Sequence, residues 1–330
     1  MRVLPMRRRW LGRAFAALLA LAAVAAAPGS LAQDYPNRTI RVIMPLGPGG
    51  IGDIFLRALA QELTKTLGQP LVIDNRPGGA TLVGSQACAQ SPPDGYTLCM
   101  LAIDSFSIAP FFSAKLPYDP EKDFAPIVRL FFIGQGLVVH RSLGVDTLAD
   151  LVALSKAKPG TLSYAAQANQ ITMVMEDLKR NTGADLQRVP YQAGGQAVSA
   201  LIAGQVPVGF LGIGNVLPQV QEGQVKLLAV DGSHRSPLYP AAPTFVEAGY
   251  SAPIIRPWYG LFAPAGTPRP IVERVQAETS RLLHDPAFVE RHLVARGLEP
   301  ALMAGDDFAR FLVADRELAK RLAEASGLKP

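Results

Sequence analysis

The residues best suited to chemistry are Leu46, Gly47, Pro48, Gly49, Gly50, Ile51, Gly52 and Asp53, a glycine turn between strand-like residues 40–44 and helix-like residues 54–67. Glycines let a ligand approach the main chain, and the first-turn N–H groups of a helix have no intrahelical partners. Such a loop favours an anion by ~0.3–1 kcal/mol and reads as a seat for a carboxylate or a phosphate. Gly47, Gly49 and Gly52 also satisfy G-x-G-x-x-G, and Asp74 follows 22 residues after Gly52, where a dinucleotide fold carries its ribose-binding acid. Asp53 would face a pyrophosphate there, and Pro48 removes one N–H from the cradle, so a dinucleotide is the weaker reading.

The rest of the chain offers little for catalysis. His140, His234, His284 and His292 are scattered and read as solvated surface residues. Ser233-His234 has no acid partner, and no metal-binding, nucleophile-elbow or P-loop pattern occurs, so neither metal nor cofactor is expected. Cys88 and Cys99 lie on a predicted helix and the following strand; a disulfide and two separately buried thiols are both open.

Residues 1–32 carry five arginines, an apolar run at 14–27 and then Ser30-Leu31-Ala32, the pattern of a secretory signal cleaved near Ala32. The run is too short for a membrane span of ~20 residues. Arg8-Arg9 faintly resembles a twin-arginine signal, but the general export route fits better. Removing this segment takes five basic residues and no acid, leaving 27 of each from totals of 32 and 27. The mature chain is formally neutral, which argues against nucleic acid as a partner.

Strand-like runs at 40–44, 71–73, 96–102, 136–140, 162–165, 186–190, 206–211 and 226–230 alternate with helical patterns, an α/β chain with mainly parallel sheets. Residues 261–264 read as a proline-fixed turn, and 270–284, 286–296 and 306–325 as helices. With too few strands for a sheet of its own, the tail is expected to pack back on the first unit. That gives lobe 1 from 33–134 plus 260–330, lobe 2 from 135–259, two crossing strands, and a ligand cleft between the lobes.

Further loops flank this cleft. Residues 75–80 repeat the strand, glycine, helix order of the first loop, with a simple tight turn as an equal reading. Gln167, Asn169, Gln170 and Thr172 offer neutral donors and acceptors between a strand and a helix, or else cap that helix. Trp258 and Tyr259 either pack the hinge or wall the cleft.

Residues 46–53, Gly68-Gln69-Pro70 with Asp74-Asn75-Arg76-Pro77-Gly78, Pro93-Asp94-Gly95-Tyr96-Thr97-Leu98, Leu116-Pro117-Tyr118-Asp119-Pro120, Val189-Pro190-Tyr191 and Phe262-Ala263-Pro264-Ala265-Gly266-Thr267-Pro268 resemble the Bug (TctC-like) receptors. These are periplasmic solute-binding proteins of tripartite tricarboxylate transporters. The resemblance implies a two-lobed periplasmic-binding fold of type II kind that closes on a small carboxylate through main-chain groups and bridging waters. Carried over by position, it makes residues 46–53, Ala102, Asp104, Ser105, Gln167, Asn169, Gln170, Thr172 and Tyr191 ligand-binding candidates. It also implies a small organic acid ligand, transporter membrane subunits as partners, a periplasmic location and a monomer.

Two departures stand out. The family's second-lobe loop is usually rich in glycine and serine with a following histidine, whereas here it reads Ala168-Asn169-Gln170-Ile171-Thr172-Met173, and an acid common after the 206–210 strand is Leu211. The ligand is then less polar or differently oriented than usual. Arg256, near the return crossover, is a further candidate partner for a ligand carboxylate. Competing functions are a co-receptor presenting ligand to a sensor kinase, an exported enzyme with Asp53 or Asp104 as base, and a nicotinamide oxidoreductase. The absence of an activated nucleophile or acid/base pair favours binding over catalysis.

Overall fold

The computed structural model describes residues 35–113, 115–166, 168–191 and 194–327. The proposed signal segment lies outside them, as does Gln167. Two sheets organise the molecule. The first has six strands in the order β11-β4-β10-β3-β1-β2, with β1 Ile40–Met44, β2 Leu71–Asn75, β3 Thr97–Ala102, β4 Phe124–Ile133, β10 Trp258–Pro264 and β11 Leu298–Ala304. The second has five in the order β7-β6-β8-β5-β9, with β5 Gln135–His140, β6 Ser163–Ala166, β7 Gln187–Pro190, β8 Val208–Gly212 and β9 Val225–Val230.

All eight expected strands form, and three more join them. The sheets are mixed rather than mainly parallel: β1 pairs parallel with β2 and β3, and β6 with β7 and β8, while β10 runs antiparallel to β3 and β4, β11 to β4, and β5 to β8 and β9. The physical reason lies in the crossings. A chain that leaves one sheet at β4, enters the other at β5 and returns at β10 must reverse direction against the parallel core of each sheet. The residues read as a proline turn at 261–264 are the second half of β10, with Pro264 as its last member, beyond the end of the β3 pairing at Phe262, where the strand has β4 as its one neighbour.

The helices are α1 Ile51–Leu67, α2 Leu82–Ala89, α3 Ala109–Phe112, α4 Leu148–Ala157, α5 Asn169–Thr182, α6 Gly194–Ile202, α7 Ile213–Gln221, α8 Arg269–Leu283, α9 Pro286–His292 and α10 Gly305–Ser326. In α1 the buried Phe55, Leu56, Leu59, Leu63 and Leu67 follow a helical repeat, each contributing about 1.5–3 kcal/mol when fully buried. Gly68 ends the helix in the left-handed region (φ 75°), its N–H bonded to the Thr64 carbonyl. Helix α4 begins with a reciprocal capping box between Thr147 and Asp150.

Only Gly134 separates β4 from β5, and the Ile133 N–H bonds the Pro257 carbonyl at 2.8 Å, tying the outgoing crossing to the return. An aromatic cluster of Phe106, Phe124, Trp258, Phe262, Phe308 and Phe311 packs beside the crossing. Cys88 on α2 and Cys99 on β3 form a disulfide with Cα atoms 6.1 Å apart. Among the described residues, no helix is long and apolar enough to cross a membrane.

Candidate functional site

Strand register places the candidate loops at one end of each sheet. Tyr259 pairs with Ala102 at the end of β3, and Trp258 with Phe132 near the end of β4, so β1 and β3 end beside the crossing. In the second sheet Gly136 pairs with Leu211 near the end of β8 and with Val230 at the end of β9, and β6 runs parallel to β8. The carboxyl ends of both sheets' parallel strands therefore flank the crossing, which is where a ligand cleft belongs.

The first loop is built from within. Asp53 is 2 % exposed, and its carboxylate accepts the Gly49 N–H at 2.9 Å, Arg57 Nε at 2.9 Å and Asn75 Nδ2 at 2.9 Å. Burial pulls the Asp53 pKa up, but the bonds from Arg57, Gly49 and Asn75 outweigh it and hold the carboxyl below its usual range. Asp53 thus shapes the loop rather than facing a ligand or acting as a base. Asn75 also donates to the Leu46 carbonyl at 3.0 Å, so loop entry and exit share one anchor.

The glycines divide into two kinds. A Cβ at Gly47, Gly49 or Gly50 would meet nothing within 4 Å, and Gly49 has φ 87°, so this stretch is an open cradle beside exposed Leu46 and Pro48. A Cβ at Gly52 would lie 2.9 Å from Met44 Cε and 3.0 Å from the Tyr259 ring, so that glycine serves packing. Helix α1 has Gly50 as its N-cap with no side-chain bond, which leaves the N–H groups of half-buried Ile51 and buried Gly52 without a helical partner beside the cradle.

At the end of β3, buried Ala102 leads into a π-helical turn, Asp104–Ile108, which packs against α5 of the second sheet's layer. Asp104 is half-buried, and desolvation raises its carboxyl above the usual range. Ser105 is fully buried, its hydroxyl without a partner among the described residues and its carbonyl accepting the Tyr118 hydroxyl at 2.6 Å.

Across the crossing, α5 begins at exposed Asn169 with Ala168 as an N-cap that makes no side-chain bond. Among the described residues, Asn169, Gln170 and Thr172 do not cap this helix. Buried Gln170 instead donates to Gln135 Oε1 at 3.0 Å and to the Ile255 carbonyl at 2.7 Å, so it holds both crossings. Thr172 donates to the Ala168 carbonyl at 3.3 Å, and half-buried Tyr191 is fixed by its N–H to the Ala166 carbonyl at 2.9 Å.

The remaining motifs are structural. Residues 75–81 form a tight turn rather than a second open helix start: Gly78, Gly79 and Thr81 all have positive φ, and a Cβ at Gly84 would lie 2.6 Å from Pro45 Cα. Trp258 packs the hinge and donates Nε1–H to Asp315 at 2.9 Å, while Tyr259 lies against Gly52. Arg256 does not reach toward the cleft loops; its guanidinium pairs with Asp231 and Glu299 and stacks 4.3 Å from the Phe132 ring centre. His292 is half-buried against Phe288 rather than solvated, and desolvation followed by Arg296 and Arg291 lowers its pKa. The roles of Arg57 and Gln135 escaped the sequence reading, although the i,i+4 spacing of Asp53 and Arg57 was a usable signal.

Two α/β layers joined by paired crossing strands, with open helix starts beside the crossing, are the architecture of the periplasmic-binding-protein fold. The model of the tripartite tricarboxylate transporter family receptor, TctC, matches residues 55–328, and the chain belongs to that family. It is 33 % identical over 308 residues to Protein BugT of Bordetella pertussis, covering 92 % of this chain and 94 % of that protein. Among solved structures, Rpa4515 of R. palustris with adipate superposes with a TM-score of 0.80 at 28 % identity, covering 90 % of this chain and 100 % of the other. MatC of Rhodopseudomonas palustris with bound malate gives 0.73 at 30 % identity, covering 88 % and 100 %. The chain is thus a TctC-type solute-binding receptor, and its relatives are receptors rather than enzymes.

Proposed function

We propose that the mature protein is an exported monomer, cleaved near Ala32, that closes on a small dicarboxylate and delivers it to the membrane subunits of a tripartite tricarboxylate transporter. The observation that carries this reading is the pair of long, side-chain-uncapped helix starts, α1 and α5, at strand ends that flank one crossing. One carboxylate rests on the 46–53 cradle and α1, the other on the start of α5, with Asp104 and Tyr191 lining the space between. The adipate and malate of the related receptors are acids of this class.

Magnitudes support closure as part of the mechanism. Two helix termini supply only ~0.3–1 kcal/mol each, whereas micromolar binding needs about 8 kcal/mol. Charge-assisted bonds from main-chain N–H groups at about 1.5–3 kcal/mol apiece make up the difference once water is excluded. Contacts made only in the closed form are what shift the lobes, and the closed surface is what the membrane subunits recognise. Desolvation raises the Asp104 carboxyl above its usual range, which lessens its repulsion of a ligand carboxylate.

Native mass spectrometry of the mature protein, purified without denaturation, tests this reading. A stoichiometric carboxylate released unchanged on unfolding is the expected result. Release of a chemically altered product, or of a cation or sugar in its place, contradicts it.

A further inference from the structure

Asp104 opens the turn that follows β3, at the end of a strand that pairs with β1, which leads into the 46–53 cradle. It is half-buried, and among the described residues no other side chain bonds or pairs with its carboxylate, which meets its own main-chain N–H. Desolvation raises it, with no cation opposing the shift. A desolvated carboxyl with so few donors is an unmet acceptor, and part of the residue stays open to a ligand.

Two tyrosines locate this carboxyl relative to the cradle. Desolvation raises the phenols of Tyr118, to about 12, and of Tyr259, and the charge of Asp104 adds to both shifts. Tyr118 donates to the Ser105 carbonyl at 2.6 Å, which pins the turn that carries Asp104. Tyr259 stands opposite Ala102 in the pairing of β10 with β3, and its ring packs on the cradle. A Cβ at Gly52 would lie 3.0 Å from Tyr259 Cε1 and 3.1 Å from Cζ, the carbon that carries the hydroxyl. One phenol therefore borders the proposed anion seat and lies within reach of the Asp104 charge.

A seat for carboxylates that also presents an unpaired carboxyl is mismatched to a plain diacid. We propose that Asp104 makes the cleft selective for an amino dicarboxylate, a diacid carrying a primary ammonium, over the same acid without one. The inference rests on the dicarboxylate reading above and narrows it. The two ligand carboxylates keep the helix starts, and the ammonium, on the carbon beside one carboxylate, donates to Asp104. An ammonium brings three donors and a charge that offsets the ionised carboxyl, whereas a hydroxyl brings one donor and no charge. A site with a desolvated acceptor rejects the analogue that leaves it unpaired.

The probes are succinate, malate and aspartate, diacids of one chain length that carry hydrogen, hydroxyl or ammonium at a single carbon. Each is titrated calorimetrically into the mature protein at neutral pH. Aspartate is expected to bind at least about tenfold tighter than either succinate or malate. Asp104→Asn should weaken aspartate by at least about tenfold and tighten succinate, which then faces an amide in place of a carboxyl. Movements in opposite directions cannot come from a misfolded variant, which would weaken both. Three results overturn the proposal and leave the cleft reading standing: succinate or malate binding as tightly as aspartate, an aspartate preference that survives Asp104→Asn, or a parallel loss of both ligands in a variant that melts like the parent. Binding of none of the three acids by the parent protein overturns both.

Discussion

Asp53 shows how a residue can occupy the proposed ligand-binding loop and yet work inward. Its carboxylate joins the Gly49 N–H, Arg57 and Asn75, so three segments of the cradle share one anion. Asp53→Ala leaves these donors without their acceptor and is expected to lower unfolding free energy by about 1–3 kcal/mol, with loss of cleft affinity, as read from urea melts and ligand titration. Unchanged stability would show that the loop does not depend on this anchor. Asp315 presents the opposite electrostatics: burial pushes its carboxyl up to about 6, against Ser107, Trp258, Arg129 and Arg316, which favour the charged form. With a folded pKa above the unfolded value of about 3.9, its stabilising contribution is complete below about pH 4 and is lost as pH rises through about 6. Asp315→Asn should therefore remove a stability slope of up to about one proton between those values, while an unaltered slope in urea midpoints across pH would contradict this account.

The element scale separates what the sequence revealed from what it hid. The glycine loop, the helix after it and the strand-to-helix turn at Asn169 were legible because glycine and apolar spacing act locally. The strands β4, β10 and β11 were not, because their identity depends on antiparallel partners far along the chain. Pro126 and Arg129 interrupt β4 on paper, yet Arg129 is housed by the Ala301 carbonyl at 2.9 Å and by the rings of Phe132 and Phe311. Pro300 likewise disguises β11, whose register against β4 shifts between Pro300 and Met303. Side-chain roles at the start of α5 were equally hidden, since Gln170 finds its partners in Gln135 and Ile255, 35 and 85 residues away. A paired substitution tests the two kinds of glycine in the cradle. Gly50→Ala, with open space around it, should change stability by no more than about 0.5 kcal/mol while weakening ligand binding. Gly52→Ala, pressed between Met44 and Tyr259, should cost about 1–3 kcal/mol in a thermal or urea melt. Equal losses of stability at both positions would refute the distinction.

At the scale of the whole molecule, the crossing is the structural centre. Ile133 and Pro257 bond each other there, Gln170 ties both passages to α5, and Trp258 joins the return strand to Asp315 on α10. The closure on a ligand proposed above would turn on these short crossing segments. The most direct test is a calorimetric titration of the mature protein with adipate and malate. The account predicts saturable one-to-one binding of at least one such acid, with Kd of about 1 μM or tighter and a loss of affinity when one carboxylate is replaced by an amide. Absence of binding by either acid, or equal affinity for the monoamide, would contradict the claim that two helix starts across the crossing hold a dicarboxylate.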